Sequence, residues 1–85
     1  MEIIHSDDFE RTLRKLPSEI RHLNTVQEER FIRNWLDSRL HLKKIQGEHG
    51  VFSYCITRRY RGFFYFQHPD RAIFFDIDHR KDAYR

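Results

Sequence analysis

One cysteine, three glycines and two prolines are all that the 85 residues contain of the types that staple, loosen or break a chain. A lone Cys55 excludes a disulfide framework and a cysteine-ligated zinc site, and it suits a reducing compartment. Gly47, Gly50 and Gly62 are too few and too scattered for a glycine-rich phosphate loop. No apolar run reaches membrane-spanning length and the N-terminus does not read as a secretory signal. The expectation is therefore a protein of the cytoplasm with no membrane partner. The histidines His5, His22, His41, His49, His68 and His79 show no close metal-ligand spacing. Neither a metal nor any other cofactor is expected. Repeats and low-complexity segments are missing as well.

What is present is aromatic and cationic. Eight Phe, four Tyr and Trp35 give a short chain the means to build one modest core. A single domain over residues 1–85 is expected. The net charge is +3, and it is unevenly placed. Residues 1–38 carry six Lys/Arg against eight Asp/Glu, whereas residues 39–85 carry ten against five. Twelve of the sixteen cations are arginine, whose planar fork meets a phosphate through two parallel bonds and keeps its charge at any relevant pH. An anionic partner, nucleic acid foremost, follows from that half of the chain.

The hydrophobic pattern changes period once. Glu2-Ile3-Ile4-His5 can pair as a strand, and Ser6 with Asp7 and Asp8 supplies an N-cap and first-turn acids for a helix over about 7–15. Phe9, Leu13 and Leu16 share its apolar face. Pro17 ends that helix and can open the next. The second helical stretch carries Ile20, Leu23, Phe31, Ile32, Trp35, Leu36 and Leu40, with the period faltering at Asn24-Thr25. There Thr25-Val26-Gln27-Glu28 reads as a capping box that could divide it. Gly47 to Gly50 marks the passage to the second half. From Val51 the chain alternates: Val51 to Thr57, Tyr60 to Gln67 and Ala72 to Asp78 are three aromatic and β-branched runs, an antiparallel meander. Phe52, Tyr54 and Ile56 are expected to face the helices together with Ile73, Phe75 and Ile77; Ser53, Cys55, Phe74, Asp76 and Asp78 are expected on the other face. The middle run, from Tyr60, is apolar on both sides and should be central.

The last seven residues, His79-Arg80-Lys81-Asp82-Ala83-Tyr84-Arg85, are denser in phosphate chemistry than a strand ending requires. Metal-free cleavage of RNA needs a base for the 2′-hydroxyl, cations for the charge that gathers on the transition state, and an acid for the leaving 5′-oxygen. Each residue alone has an ordinary reading, since an arginine at a strand end is commonly a solvated charge and a tyrosine near a terminus commonly packs at a core edge.

Taken together, Lys43-Lys44-Ile45-Gln46-Gly47, Ser53-Tyr54-Cys55-Ile56, Tyr60-Arg61 with Phe64-Tyr65, and the closing heptad resemble the RelE/ParE superfamily of toxins from bacterial toxin–antitoxin modules. The similarity runs the whole chain. It implies an α+β fold, two N-terminal helices packed on a four-stranded antiparallel sheet made of the short N-terminal strand and the meander. It also implies a cognate antitoxin, expected to be acidic. In the RelE-like branch it implies a metal-independent endoribonuclease that cuts mRNA in the ribosomal A site and leaves a 2′,3′-cyclic phosphate. In the ParE-like branch it implies inhibition of DNA gyrase. Arg61 and Arg80 match the family's phosphate-contacting arginines and Tyr84 matches its late tyrosine, a possible acid or stacking platform. His79 is a candidate base, with Lys81 and the Lys43-Lys44 pair able to compensate; His41 is close by in sequence. Lys43, Lys44, Arg58, Arg59, Lys81 and Arg85 are the candidate RNA-binding residues. The sequence departs from the pattern at Ser53 and Cys55, where relatives often carry basic side chains, and at Asp78, where many have glycine. Those departures keep open a non-nuclease toxin and an inactive homologue that survives as a binding partner.

Overall fold

Ser6 stops the first strand and starts the first helix. Its backbone is extended, and its hydroxyl accepts the N–H of Phe9 at 3.1 Å. This is the side-chain cap expected of a serine there. In the computed structural model, which describes residues 1–79, the elements run β1 (Glu2–His5), α1 (Asp7–Arg14), α2 (Ser18–Arg33), a 3₁₀ turn (Ser38–Leu40), β2 (Lys43–Lys44), β3 (Val51–Cys55), β4 (Tyr60–His68) and β5 (Arg71–His79). The strands form one five-stranded sheet in the order β1-β5-β4-β3-β2, with β4 central as its apolar run suggests.

Two details of the sheet differ from expectation. Lys43 and Lys44 pair with Ser53 and Phe52 and so add a fifth strand, turning the Gly47–Gly50 segment into a hairpin loop. Both glycines have positive φ, 83° and 77°, which side-chain-bearing residues adopt reluctantly. The N-terminal strand pairs parallel, not antiparallel, with β5. The two helices and strands β2 to β4 lie between them in the chain, so the connection is long enough for a parallel pair.

The capping box within α2 is not used. The Thr25 hydroxyl donates to the Arg21 carbonyl at 3.2 Å, and the helix passes through without a break. The falter in the apolar pattern has another cause, because Asn24 and Gln27 are buried and bonded. Tyr54 donates its hydroxyl proton to Asn24 Oδ1 at 2.5 Å, Asn24 donates to Glu28 at 2.8 Å, and the Glu28 carboxylate meets His5 Nε2 at 2.8 Å. That line of polar groups joins β3 through α2 to β1. Gln27 donates to the carbonyls of Cys55 at 2.6 Å and Arg39 at 2.9 Å. Polar residues therefore fasten α2 where the apolar stripe falters, and each of these buried side chains has a partner, as burial demands. The helix ends at Arg33, so Trp35, Leu36 and Leu40 lie beyond it. Trp35 meets Phe66 edge-on at 5.0 Å, Leu40 is buried, and Leu36 stays 66% exposed.

The core sits between the helices and one sheet face. Phe31 packs edge-to-face on Phe64 and Phe74 at 5.0 and 5.2 Å, contacts worth about 0.5–1.5 kcal/mol each beyond their area. Phe52, Tyr54 and Ile56 face the core as expected. On β5 the expected parity holds at Asp76, Ile77 and Asp78 and fails at Ile73, Phe74 and Phe75. Phe64 pairs with Phe74 and Phe63 with Asp76, so Phe75 is the extra residue of a bulge. The bulge buries Ala72 and Phe74 completely. It leaves Ile73 and Phe75 on the outer face, where Phe75 meets Tyr65 at 5.8 Å.

Candidate functional site

The register places a set of polar side chains on the sheet face turned away from the helices. Lys43, Ser53, Phe63 and Asp76 form one row of neighbours across β2, β3, β4 and β5, and Cys55, Arg61 and Asp78 form the next. Within those rows Arg61 is 4% exposed and Ser53 1%. The guanidinium is fixed from two directions. Its Nε and Nη2 donate to Ser53 Oγ at 3.1 and 2.9 Å, and Nη2 also donates to the His41 carbonyl at 3.0 Å. An arginine held in this way keeps its charge and loses its rotamer freedom, which lowers the entropic cost of meeting an anion.

The carbonyl of His41 is available because of the backbone. Asp37 caps the 3₁₀ turn through the Arg39 N–H, and His41 ends it in the left-handed region at φ 48°. Among the described residues it is the one non-glycine with positive φ. His41, Lys43, Cys55, Arg58 and Arg61 together line a cavity of about 310 Å³. Three cations on one small concavity, one of them buried and immobilised, make a receptor for an anionic oxygen. The Cys55 thiol is engaged by the Thr57 carbonyl at 3.2 Å. Among the described residues no three His, Cys, Asp or Glu side chains converge as a metal would require.

The remaining sequence candidates scatter. Lys44 pairs with Phe52, so it lies on the opposite face from Lys43 and lines the hairpin groove formed by residues 44–52. Arg59 is exposed on the β3–β4 turn. His79 pairs with Tyr60, next to the Arg61–Asp78 pair, and therefore points the other way. Its ring stacks on Tyr60 at 4.5 Å, and Tyr60 packs against the core. His79 and Arg61 thus occupy opposite faces, and the two are not brought together. Arg80, Lys81, Tyr84 and Arg85 lie outside the described residues.

No family model and no curated protein matches the chain. Solved structures do. The RelB–RelE antitoxin–toxin complex from Methanococcus jannaschii contains a chain that matches with a TM-score of 0.75 at 26% identity, covering 92% of this chain and 91% of that one. This chain has the fold of the RelE/ParE-like toxins. Two further matches share the fold at lower identity. The YoeB/ParE toxin from Agrobacterium tumefaciens gives 0.77 at 10%, over 94% of this chain and 99% of that one. The RelE–RelB complex from Pyrococcus horikoshii OT3 gives 0.78 at 12%, over 96% and 97%.

Within this RelE/ParE-like frame, two participants in the site were not singled out from sequence. The first is the role of Ser53 as the acceptor for Arg61. Its face was legible from alternation, but the pairing depends on how β3 and β4 are registered. The second is the His41 carbonyl, which rests on a backbone turn that no residue pattern announces.

Proposed function

We propose that the chain is the toxin of a toxin–antitoxin pair and a metal-independent endoribonuclease that cuts mRNA on the ribosome in the cytoplasm. Support comes from the buried guanidinium of Arg61, fixed by Ser53 and the His41 carbonyl at the wall of a cavity that also carries Lys43 and Arg58. In-line attack by a 2′-hydroxyl gathers negative charge on the equatorial phosphate oxygens. A preorganised arginine is worth most at that moment, because it need not reorganise as the charge develops. The products are a 2′,3′-cyclic phosphate and a free 5′-hydroxyl.

The partner is a cognate antitoxin, in keeping with the two RelE–RelB complexes among the structural neighbours. The outer sheet face offers it a surface. Ile4, Ile73, Tyr65 and Val51 are register neighbours in one row across four strands, with Ile4 and Tyr65 each 40% exposed. The cationic cavity lies on the same face. An amphipathic segment with acidic residues at one end would seat apolar side chains on the row and carboxylates over Lys43 and Arg58, covering the cavity.

The competing reading is a gyrase-inhibiting toxin or an inactive homologue. Its favouring observation is that Ser53 and Cys55, not basic side chains, stand beside Arg61. Two assays separate the readings. On induction the wild type arrests growth and the Arg61→Ala/Arg80→Ala double variant, folded by circular dichroism, does not; a double variant that still arrests growth refutes the nuclease assignment. Inhibition of gyrase supercoiling with messages left intact establishes the alternative.

A further inference from the structure

We infer that His41 is the general base of the site, an assignment that rests on the nuclease reading above. The reaction needs a group that takes a proton from the 2′-hydroxyl near neutral pH, and histidine is the side chain suited to it. Of the described histidines, His5 is engaged by Glu28 on the helix side of the sheet. His79 is stacked on Tyr60 on that same side, away from Arg61. His22 lies on α2, His49 in the β2–β3 hairpin, and His68 at the end of β4 beyond the bulges. His41 alone among them lines the cavity with Arg61, Arg58 and Lys43.

Three further observations bear on the same residue. Its carbonyl accepts from Arg61 Nη2, so the phosphate-binding guanidinium and this imidazole are tethered through one backbone position. The residue is solvent-exposed, and among the described residues its hydrogen bonds, to the Ser38 carbonyl and from Arg61, are made by its main chain. Its left-handed backbone, φ 48°, is a conformation that residues with a Cβ accept at a cost, and such costs concentrate where geometry serves chemistry. The other groups on the cavity serve the step less well. Lys43 and Arg58 are cations, Arg61 cannot give up its proton, and the Cys55 thiol is bonded to Thr57.

The step balances without a co-reactant. The neutral imidazole takes the 2′-hydroxyl proton as O2′ bonds to phosphorus. The P–O5′ bond breaks with its electron pair on O5′. The imidazolium returns the proton through solvent, so that the leaving group ends as a 5′-hydroxyl.

The test is chemical rescue of His41→Gly on programmed ribosomes. Glycine adopts the positive φ without strain and keeps the carbonyl that holds Arg61, so the variant removes the imidazole alone. Cleavage is expected to fall by about 10²–10⁴-fold, and added imidazole is expected to restore it in proportion to concentration, whereas pyrazole, of the same shape but scarcely basic, is not. A variant that cleaves near the wild-type rate, a loss that imidazole does not relieve, or equal relief by pyrazole overturns the assignment of His41. Absence of cleavage by the wild type instead removes the nuclease reading on which it rests.

Discussion

Ser53 receives two N–H groups of Arg61 on one oxygen, from the neighbouring strand and at 3.1 and 2.9 Å. A basic side chain at position 53 would set a second cation against a buried guanidinium; a hydroxyl sets an acceptor there instead. The hydroxyl at position 53 is therefore coupled to how Arg61 is held.

Replacing Ser53 by alanine tests that coupling. Hydrogen bonds to charged groups contribute about 1.5–3 kcal/mol. If the same amount is lost from the transition state, cleavage falls by roughly 10- to 160-fold. Single-turnover cleavage by Ser53→Ala, with circular dichroism to show the fold intact, reads this directly. An unchanged rate means that the clamp does not matter to catalysis.

Gly62 faces Tyr54 across β3 and β4, and a Cβ there would overlap the Tyr54 ring. The ring is itself fixed by its bond to Asn24 and cannot swing aside. Gly62→Ala is expected to cost about 1–3 kcal/mol or more as overpacking, a fall of roughly 4–8 °C in melting temperature per kcal/mol for a domain of this size. A melt superimposable on the wild type would contradict the packing.

Stability should also depend on pH through His5. The hydrogen bond to Glu28 raises its pKa above the ordinary histidine value of 6.5, with smaller contributions from the charges of Glu28 and Glu10, while burial opposes them. A raised folded pKa means that protonation favours the folded state. The contribution is complete below about 6.5 and disappears as pH rises through the higher folded value. Urea midpoints at pH 5.5 and 8.5 should differ less in His5→Gln than in the wild type. Equal dependence in both proteins would assign the effect elsewhere.

Tyr65→Glu places a carboxylate in the middle of the apolar row formed with Ile4, Ile73 and Val51. The side chain is 40% exposed, so the fold should tolerate it. Coexpressed with its antitoxin, the variant is expected to arrest growth where the wild type is neutralised, and to fail to copurify with the antitoxin. Full neutralisation of the variant would show that the antitoxin binds elsewhere.

Much of this arrangement is written in local patterns. The Ser6 cap, the end of α1 before Pro17, the three meander runs and the outward position of Ser53 and Cys55 follow from capping preference and alternation. What the sequence hides are features decided by distant partners. Asn24 and Gln27 look like a gap in an apolar face until Tyr54, Glu28 and the Cys55 carbonyl come to meet them. Phe74 and Phe75 are equivalent to any reading by period, and a bulge chooses between them. His79 and Arg61 are near in the expected sheet, yet one step of alternation at the strand end puts them on opposite faces. Lys43 and Lys44 divide in the same way.

Primer extension on ribosome-bound message, with wild type and Arg61→Ala in parallel, tests the central claim that the fixed guanidinium of Arg61 carries phosphodiester cleavage. The wild type should produce cuts within the A-site codon, ending in 2′,3′-cyclic phosphate, and a folded Arg61→Ala should lose them. Equal cutting by the two proteins, or an intact message with both, would contradict it.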